Sequence, residues 1–262
     1  MVGDYFYHES NIDGKCRNTR GNTYRRIFQQ CIDFKRDYYT PYKTYQVAIT
    51  GITRDDISRK VALLNEYYPR VDSFVSQHHI TSQAKFRPTV LEEFCGHLLK
   101  DIPEIERLNL DFFNKGVFAG ITLDRLGNAL IKTKDIDFCI GKKFDVIIEG
   151  NQYHLIIPVI AIECKTYIDK TMLSEAQFTA QKMKQGSPNV KVYCVAEKNE
   201  IDVNEVPTKG RTPLDQLFII RGIKTNPVSA DAVFAFFTEI KSALEKLSQE
   251  VNRIELGGIL PD

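Results

Sequence analysis

The apolar run Leu155-Ile156-Ile157-Pro158-Val159-Ile160-Ala161-Ile162, closed by Glu163-Cys164-Lys165, constrains the fold of this chain more than any other segment. A run of this length and composition reads as a strand buried on both faces, which has no place for charge in its interior. Yet it ends on a carboxylate and an ammonium two residues apart. Residues i and i+2 share one face of a strand, so Glu163 and Lys165 are expected to project together from the edge of a core. An acid that can hold a divalent cation, beside a cation that can steer water or phosphate, is equipped to cut a phosphodiester.

The triplet alone is weak, because Glu239-Ile240-Lys241 repeats it where the 3.6-residue pattern reads as a helix surface. Context separates the two copies. Upstream of the apolar run lies Lys134-Asp135-Ile136-Asp137-Phe138-Cys139-Ile140, continuing to Asp145-Val146-Ile147-Ile148-Glu149, and then Gly150-Asn151, a hairpin-turn signal. Folding back about Gly150-Asn151-Gln152 places Asp137 opposite Lys165 and close to Glu163 in an antiparallel ladder. Asp145 and Asp135 are the competing acids, and a shift of register would exchange them.

An Asp on one strand with Glu-x-Lys on its hairpin partner resembles the PD-(D/E)XK nuclease superfamily. The strings Ala161-Ile162-Glu163-Cys164-Lys165-Thr166-Tyr167-Ile168-Asp169 and Lys134-Asp135-Ile136-Asp137-Phe138 are similar to those of type II restriction endonucleases of the BbvCI and DdeI kind. The resemblance spans roughly residues 85 to 245. No Pro precedes Asp137 or Asp145, so the Pro of the motif name does not choose between them. The resemblance implies catalytic Asp137, Glu163 and Lys165. It also implies Mg2+ (or Mn2+) held by Asp137, Glu163 and a backbone carbonyl near Cys164, with double-stranded DNA as substrate. One such site makes one cut, so a homodimer, or a heterodimer with a related subunit, is implied as well. Many superfamily members carry a helical Glu near the metals, which makes Glu93 a further candidate. The rival functions are a structure-specific repair or recombination nuclease of the same fold, and a non-catalytic nucleic-acid-binding protein.

Length and composition fit this frame without selecting it. The 262 residues suffice for one large domain or a core with an appended lobe, and the net charge of +1 offers no global attraction to nucleic acid. The cysteines at 16, 31, 95, 139, 164 and 194 form neither a zinc spacing nor a disulfide scaffold, and the longest apolar run is far short of a membrane span. A reduced, cytoplasmic, soluble protein is expected.

Residues 14 to 45 interleave Lys15, Arg17, Arg20, Arg25, Arg26, Lys35, Arg36 and Lys43 with Tyr24, Phe28, Phe34, Tyr38, Tyr39, Tyr42 and Tyr45. The stretch reads either as an accessory helix with snorkelling cations or as a phosphate-contacting arm. A helix is expected from about Ile57 to Tyr68, capped by Thr53 and Asp56 and stopped by Pro69. A second follows Pro88, with Thr89 and Glu92 as a capping box and Val90, Leu91, Phe94 and Leu98 buried. His97 reads as a boundary histidine and His78-His79 as part of a surface loop. Residues 116–134 read as a turn-rich lead into the hairpin.

Beyond the Glu-x-Lys strand come a helix over Thr171–Gln185, strands at Val190–Val195 and Gln216–Ile220, and a last helix from near Ser229. The exposed basic loop Pro207–Pro213 is a candidate DNA contact. The expected class is α/β, a restriction-endonuclease-like core with a central mixed sheet flanked by helices over 85–262, plus a mainly helical N-terminal extension over 1–84.

Overall fold

The computed structural model describes residues 5–17, 25–202, 210–223 and 226–255. Its centre is the hairpin of β4 (Phe138–Ile148) and β5 (Asn151–Lys165). The turn is Glu149-Gly150, both at positive φ (52° and 78°), the two-residue geometry whose twist matches an antiparallel pair. The expected turn centre at Asn151 is therefore corrected, since Asn151 already pairs with Ile148. The register then shifts between Ile140 and Gly141, where Val159 is left over as a bulge beside Pro158. Gly141 is needed there, because a Cβ would meet the Ile157 carbonyl oxygen at 2.5 Å.

Pro158, which cannot donate to a ladder, sits where β5 changes neighbours. Its outer half touches β2 (Val117–Leu123) through Val117 and Ile156. Its inner half pairs in parallel with β6 (Lys191–Lys198) from Ile160 onward. β1 (Asp111–Phe113) flanks β4, β3 (Ala129–Lys134) flanks β2, and β7 (Gln216–Gly222) extends the parallel edge beyond β6. Residues 116–134 thus form a true hairpin, β2–β3, instead of the expected turn-rich lead.

The sheet separates two apolar layers, and alternation along β5 feeds both. Ala161 packs with Val192, Cys194 and α7 (Lys170–Gly186), while Ile160, Ile162 and Cys164 pack on the helical side. That side holds α1 (Tyr7–Arg17), α2 (Phe28–Phe34), α3 (Thr40–Ala48) joined to α2 by the π-helical turn Lys35–Tyr39, α4 (Arg54–Gln77), α5 (Thr89–Leu99) and α8 (Ala230–Glu255). A short α6 (Pro103–Arg107) leads into β1. No helix among the described residues is long and apolar enough to cross a membrane.

The Thr53–Asp56 capping box forms as expected, but Pro69 does not stop α4. A mid-helix proline costs about 3 kcal/mol; Val71 and Phe74, buried beyond it, keep the helix docked. The Thr89–Glu92 box does not form either. Pro88 is the N-cap, and the Thr89 hydroxyl donates back to the Lys85 carbonyl at 2.9 Å. The Glu92 side chain is thereby released from capping.

Glu93 serves the fold. Fully buried, it accepts from the backbone N–H groups of His8 (2.9 Å) and Glu9 (3.1 Å), and from the Tyr39 hydroxyl (3.0 Å). A carboxylate from α5 thus caps the positive end of α1 and ties the N-terminal helices to the sheet. His97, also fully buried, lies 3.4 Å from the same carboxylate. His8 is held neutral by burial, its pKa lowered to about 3. Glu93→Ala orphans three donors inside the core. Urea denaturation is expected to show a loss of ~3–5 kcal/mol, and a loss below ~1 kcal/mol would contradict this structural role.

Candidate active site

Asp137 stands just before β4, and its Oδ2 accepts the Cys164 backbone N–H at 2.9 Å. With Phe138 opposite Ile162, this brings Asp137 level with Glu163 and not, as the turn at Asn151 implied, with Lys165. The bulge and the earlier turn supply the difference. Glu163 and Lys165 share one face and form an ion pair at 2.9 Å, with Glu163 only 7% exposed. The cleft above them, about 530 Å3, is lined by Lys134, Asp135, Asp137, Glu163 and Lys165, with Glu175 and Phe178 of α7 on the opposite wall.

The competing acids lie elsewhere or are engaged. Asp145 is exposed and bound to His154 Nδ1 at 2.6 Å. Its cross-strand partner His154 lies roughly 30 Å back from Glu163 at the rise of an extended strand. Asp135 lines the cleft, but its Oδ1 accepts the Gly116 N–H at 3.0 Å.

Two charged residues join the site without having been expected there. Glu92, 4% exposed, has its pKa raised to about 8, first by burial and then by the charge of Asp137, with Glu163 adding to it. Lys85, on a left-handed turn at φ 53°, holds its Nζ 3.8 Å from Asp137 Oδ1. A signal for Glu92 was present. All eleven residues of α5 are buried, its sequence is apolar nearly all round, and charges in such a helix must be paired or put to use. Nothing local marks Lys85.

Burial and the neighbouring Asp137 charge raise the Glu163 pKa as well. Burial pulls Lys165 down, but the charge and hydrogen bond of Glu163 outweigh it and leave the amine more basic than usual. The site thus concentrates more negative charge than its desolvated setting tolerates, and Lys165 and Lys85 supply the balance. The carboxylates offer the hard oxygen donors that Mg2+ prefers. Cys164 has only its backbone carbonyl to offer, because its thiol is buried 3.8 Å from Cys95 Sγ and its pKa is raised by that contact and by burial. Among the described residues, no three Asp, Glu, His or Cys side chains already stand as a metal cage.

The cations of the 14–45 stretch are mostly engaged within the protein. Lys15 donates to the Ala84 carbonyl, Lys35 to Asp13, Lys43 to Glu9, and Arg36 to Asp33 and Asp37. Arg25 and Arg26 are exposed, while Arg20 and Tyr24 lie outside the described residues. In the basic loop 207–213, residues 207–209 also lie outside them.

A buried hairpin ending on acid and lysine, set in a mixed sheet between helical layers, is the architecture of a restriction-enzyme nuclease core. A model of the Bpu10I restriction endonuclease family matches residues 83–249, and the chain belongs to that family. It is a type II restriction endonuclease, a site-specific deoxyribonuclease. The solved structure of the native BbvCI A2B2 tetramer is similar in fold, with a TM-score of 0.73 at 18% identity over 95% of this chain and 98% of that one. No curated protein sequence matches.

The raised pKa of Glu92 has a definite sign. Relative to the unfolded chain, its contribution to stability is complete below about 4.5, the unperturbed value, and is lost as pH rises through about 8. Glu92→Gln is therefore expected to raise the Tm of the metal-free protein by several degrees at pH 8 and to leave it unchanged near pH 4. Scanning calorimetry at the two pH values checks this; equal shifts at both would contradict it.

Proposed function

We propose that this chain cuts double-stranded DNA at a specific sequence with Mg2+ (or Mn2+) as cofactor, through Asp137, Glu163 and Lys165. The observation that carries the reading is the tie between the Asp137 carboxylate and the Cys164 N–H, which brings both acids and the lysine to one end of the β4–β5 hairpin. Asp137, Glu163 and the Cys164 carbonyl are the residues to hold the cation, with Glu92 as a further carboxylate beside them. When bound, Mg2+ neutralises the scissile phosphate and makes water more acidic. Lys165, kept as an ammonium by Glu163, donates; its part is to orient the attacking water or the phosphate oxygen.

The family match begins at residue 83, which supports 1–84 as an extension and 85–262 as the nuclease core. A single site of this kind makes one cut. The related BbvCI assembly, an A2B2 tetramer, supports pairing of this chain with itself or with a related subunit.

Incubation of a long DNA with the purified chain and Mg2+, followed by sequencing of the ends, should yield discrete termini sharing one sequence, and excess EDTA should abolish them. Undiminished cutting in EDTA would exclude the two-carboxylate mechanism. Glu163→Ala and Lys165→Ala should fold and fail to cut, and Asp137→Asn should slow cleavage by more than ~100-fold. Asp145→Asn, which removes only an exposed pair, should stay within about threefold of the original rate. Near-normal cutting by Lys165→Ala would sink the assignment.

A further inference from the structure

A second cleft, about 670 Å3, opens beside the carboxylates, between α1 and the turn joining β1 to β2. Its lining includes Gly14 and Lys15 of α1, Lys85, Glu92, and Asn114 with Lys115 on the turn. Lys85 and Glu92 stand at the boundary with the site, since Lys85 also reaches Asp137. Three lysines face a single carboxyl here, in a chain whose net charge is only +1. Lys15 is buried and donates to the Ala84 carbonyl at 2.7 Å, bracing the backbone that turns left-handed at Lys85. Lys115 is exposed at the opposite wall.

Gly14 is an independent observation. It sits inside α1, where glycine costs roughly 0.5–1 kcal/mol relative to alanine. A Cβ built on it meets no atom within 4 Å, and its φ is not left-handed. Among the described residues, neither packing nor backbone geometry calls for glycine. Close approach of a ligand to the α1 backbone does.

We propose that this cleft seats the sugar–phosphate backbone of the DNA strand being cut, next to the scissile phosphate. Lys85 and Lys115 contact phosphate oxygens, Gly14 lets the strand lie against α1, and Lys15 acts as a positioning residue for Lys85. The inference rests on the nuclease reading of the neighbouring acids and adds the path by which the strand reaches them. Phosphates so bound release counterions, which makes the contact measurable as a salt dependence.

The test uses the full chain with a fluorescently labelled duplex, Ca2+ in place of Mg2+, and anisotropy read over a series of salt concentrations. Gly14→Ala should be at least as thermally stable as the original protein and already weaken duplex binding by about threefold. Gly14→Gln should keep that stability, because glutamine is the better helix former, and lose at least ~tenfold in affinity by filling the cleft. Lys115→Glu, on an exposed turn that tolerates substitution, should lose a similar factor at low salt. It should also lower the slope of log K against log salt by about 1.

Original affinity and slope in both Gly14→Gln and Lys115→Glu overturn the cleft while Mg2+-dependent cutting by the unaltered chain leaves the nuclease reading standing. Loss of duplex binding in both variants, with no cutting by the unaltered chain in Mg2+ or Mn2+, upholds the cleft and removes the nuclease reading.

Discussion

The pairing of β4 with β5 sets the positions of Asp137, Glu163 and Lys165. The two-residue turn at Glu149-Gly150 starts the register, and the bulge at Val159 moves it by one residue before the strand enters the core. Past the bulge, β5 has exchanged β2 for β6 as its neighbour, so residues 160–162 lie between β4 and β6, and 163–165 continue paired with β6. Glu163 and Lys165 therefore leave a rigid strand end, and the Cys164 N–H is free to take the Asp137 carboxylate. A shift of a single residue would turn both charges toward the apolar helical layer, where Cys164 now meets Cys95.

That geometry creates an electrostatic strain which the rest of the site answers. Glu163 and Glu92 are both pushed toward their neutral forms by burial and by Asp137. Lys165 pairs with Glu163, and Lys85 holds its ammonium 3.8 Å from Asp137. A divalent cation placed there would relieve repulsion that the fold already bears.

The N-terminal helices do more than extend the core. Glu93 caps α1 from α5, and Lys15 of α1 braces the turn that presents Lys85 to the site. Lys35 and Lys43 hold the later helices to α1 through Glu9 and Asp13, while Arg36 pairs locally with Asp33 and Asp37. Residues of α1 thereby line the cleft that Lys85 and Glu92 share.

Sequence alone was enough for the hairpin strands, the Glu-x-Lys strand end, the helix after it, the parallel edge strands and the long C-terminal helix. Each rests on local periodicity and turn chemistry read over a few residues. The candidates Asp137, Glu163 and Lys165 came from the hairpin pattern together with the family resemblance, with Asp145 and Asp135 still in competition until the register was seen. The rest depended on contacts between distant segments. Thr89 and Glu92 carry the spacing of a capping box, yet Pro88 occupies the cap, and Glu92 turns to acids some forty and seventy residues further along the chain. Glu93, one position on, turns to His8, Glu9 and Tyr39 of the N-terminal helices instead, because adjacent helical residues diverge by about 100°. Lys85 has no local mark at all. Which of two neighbouring carboxylates faces the candidate site and which ties α1 to α5 was decided by what packs around α5, a property of the assembled core and of no single stretch of sequence.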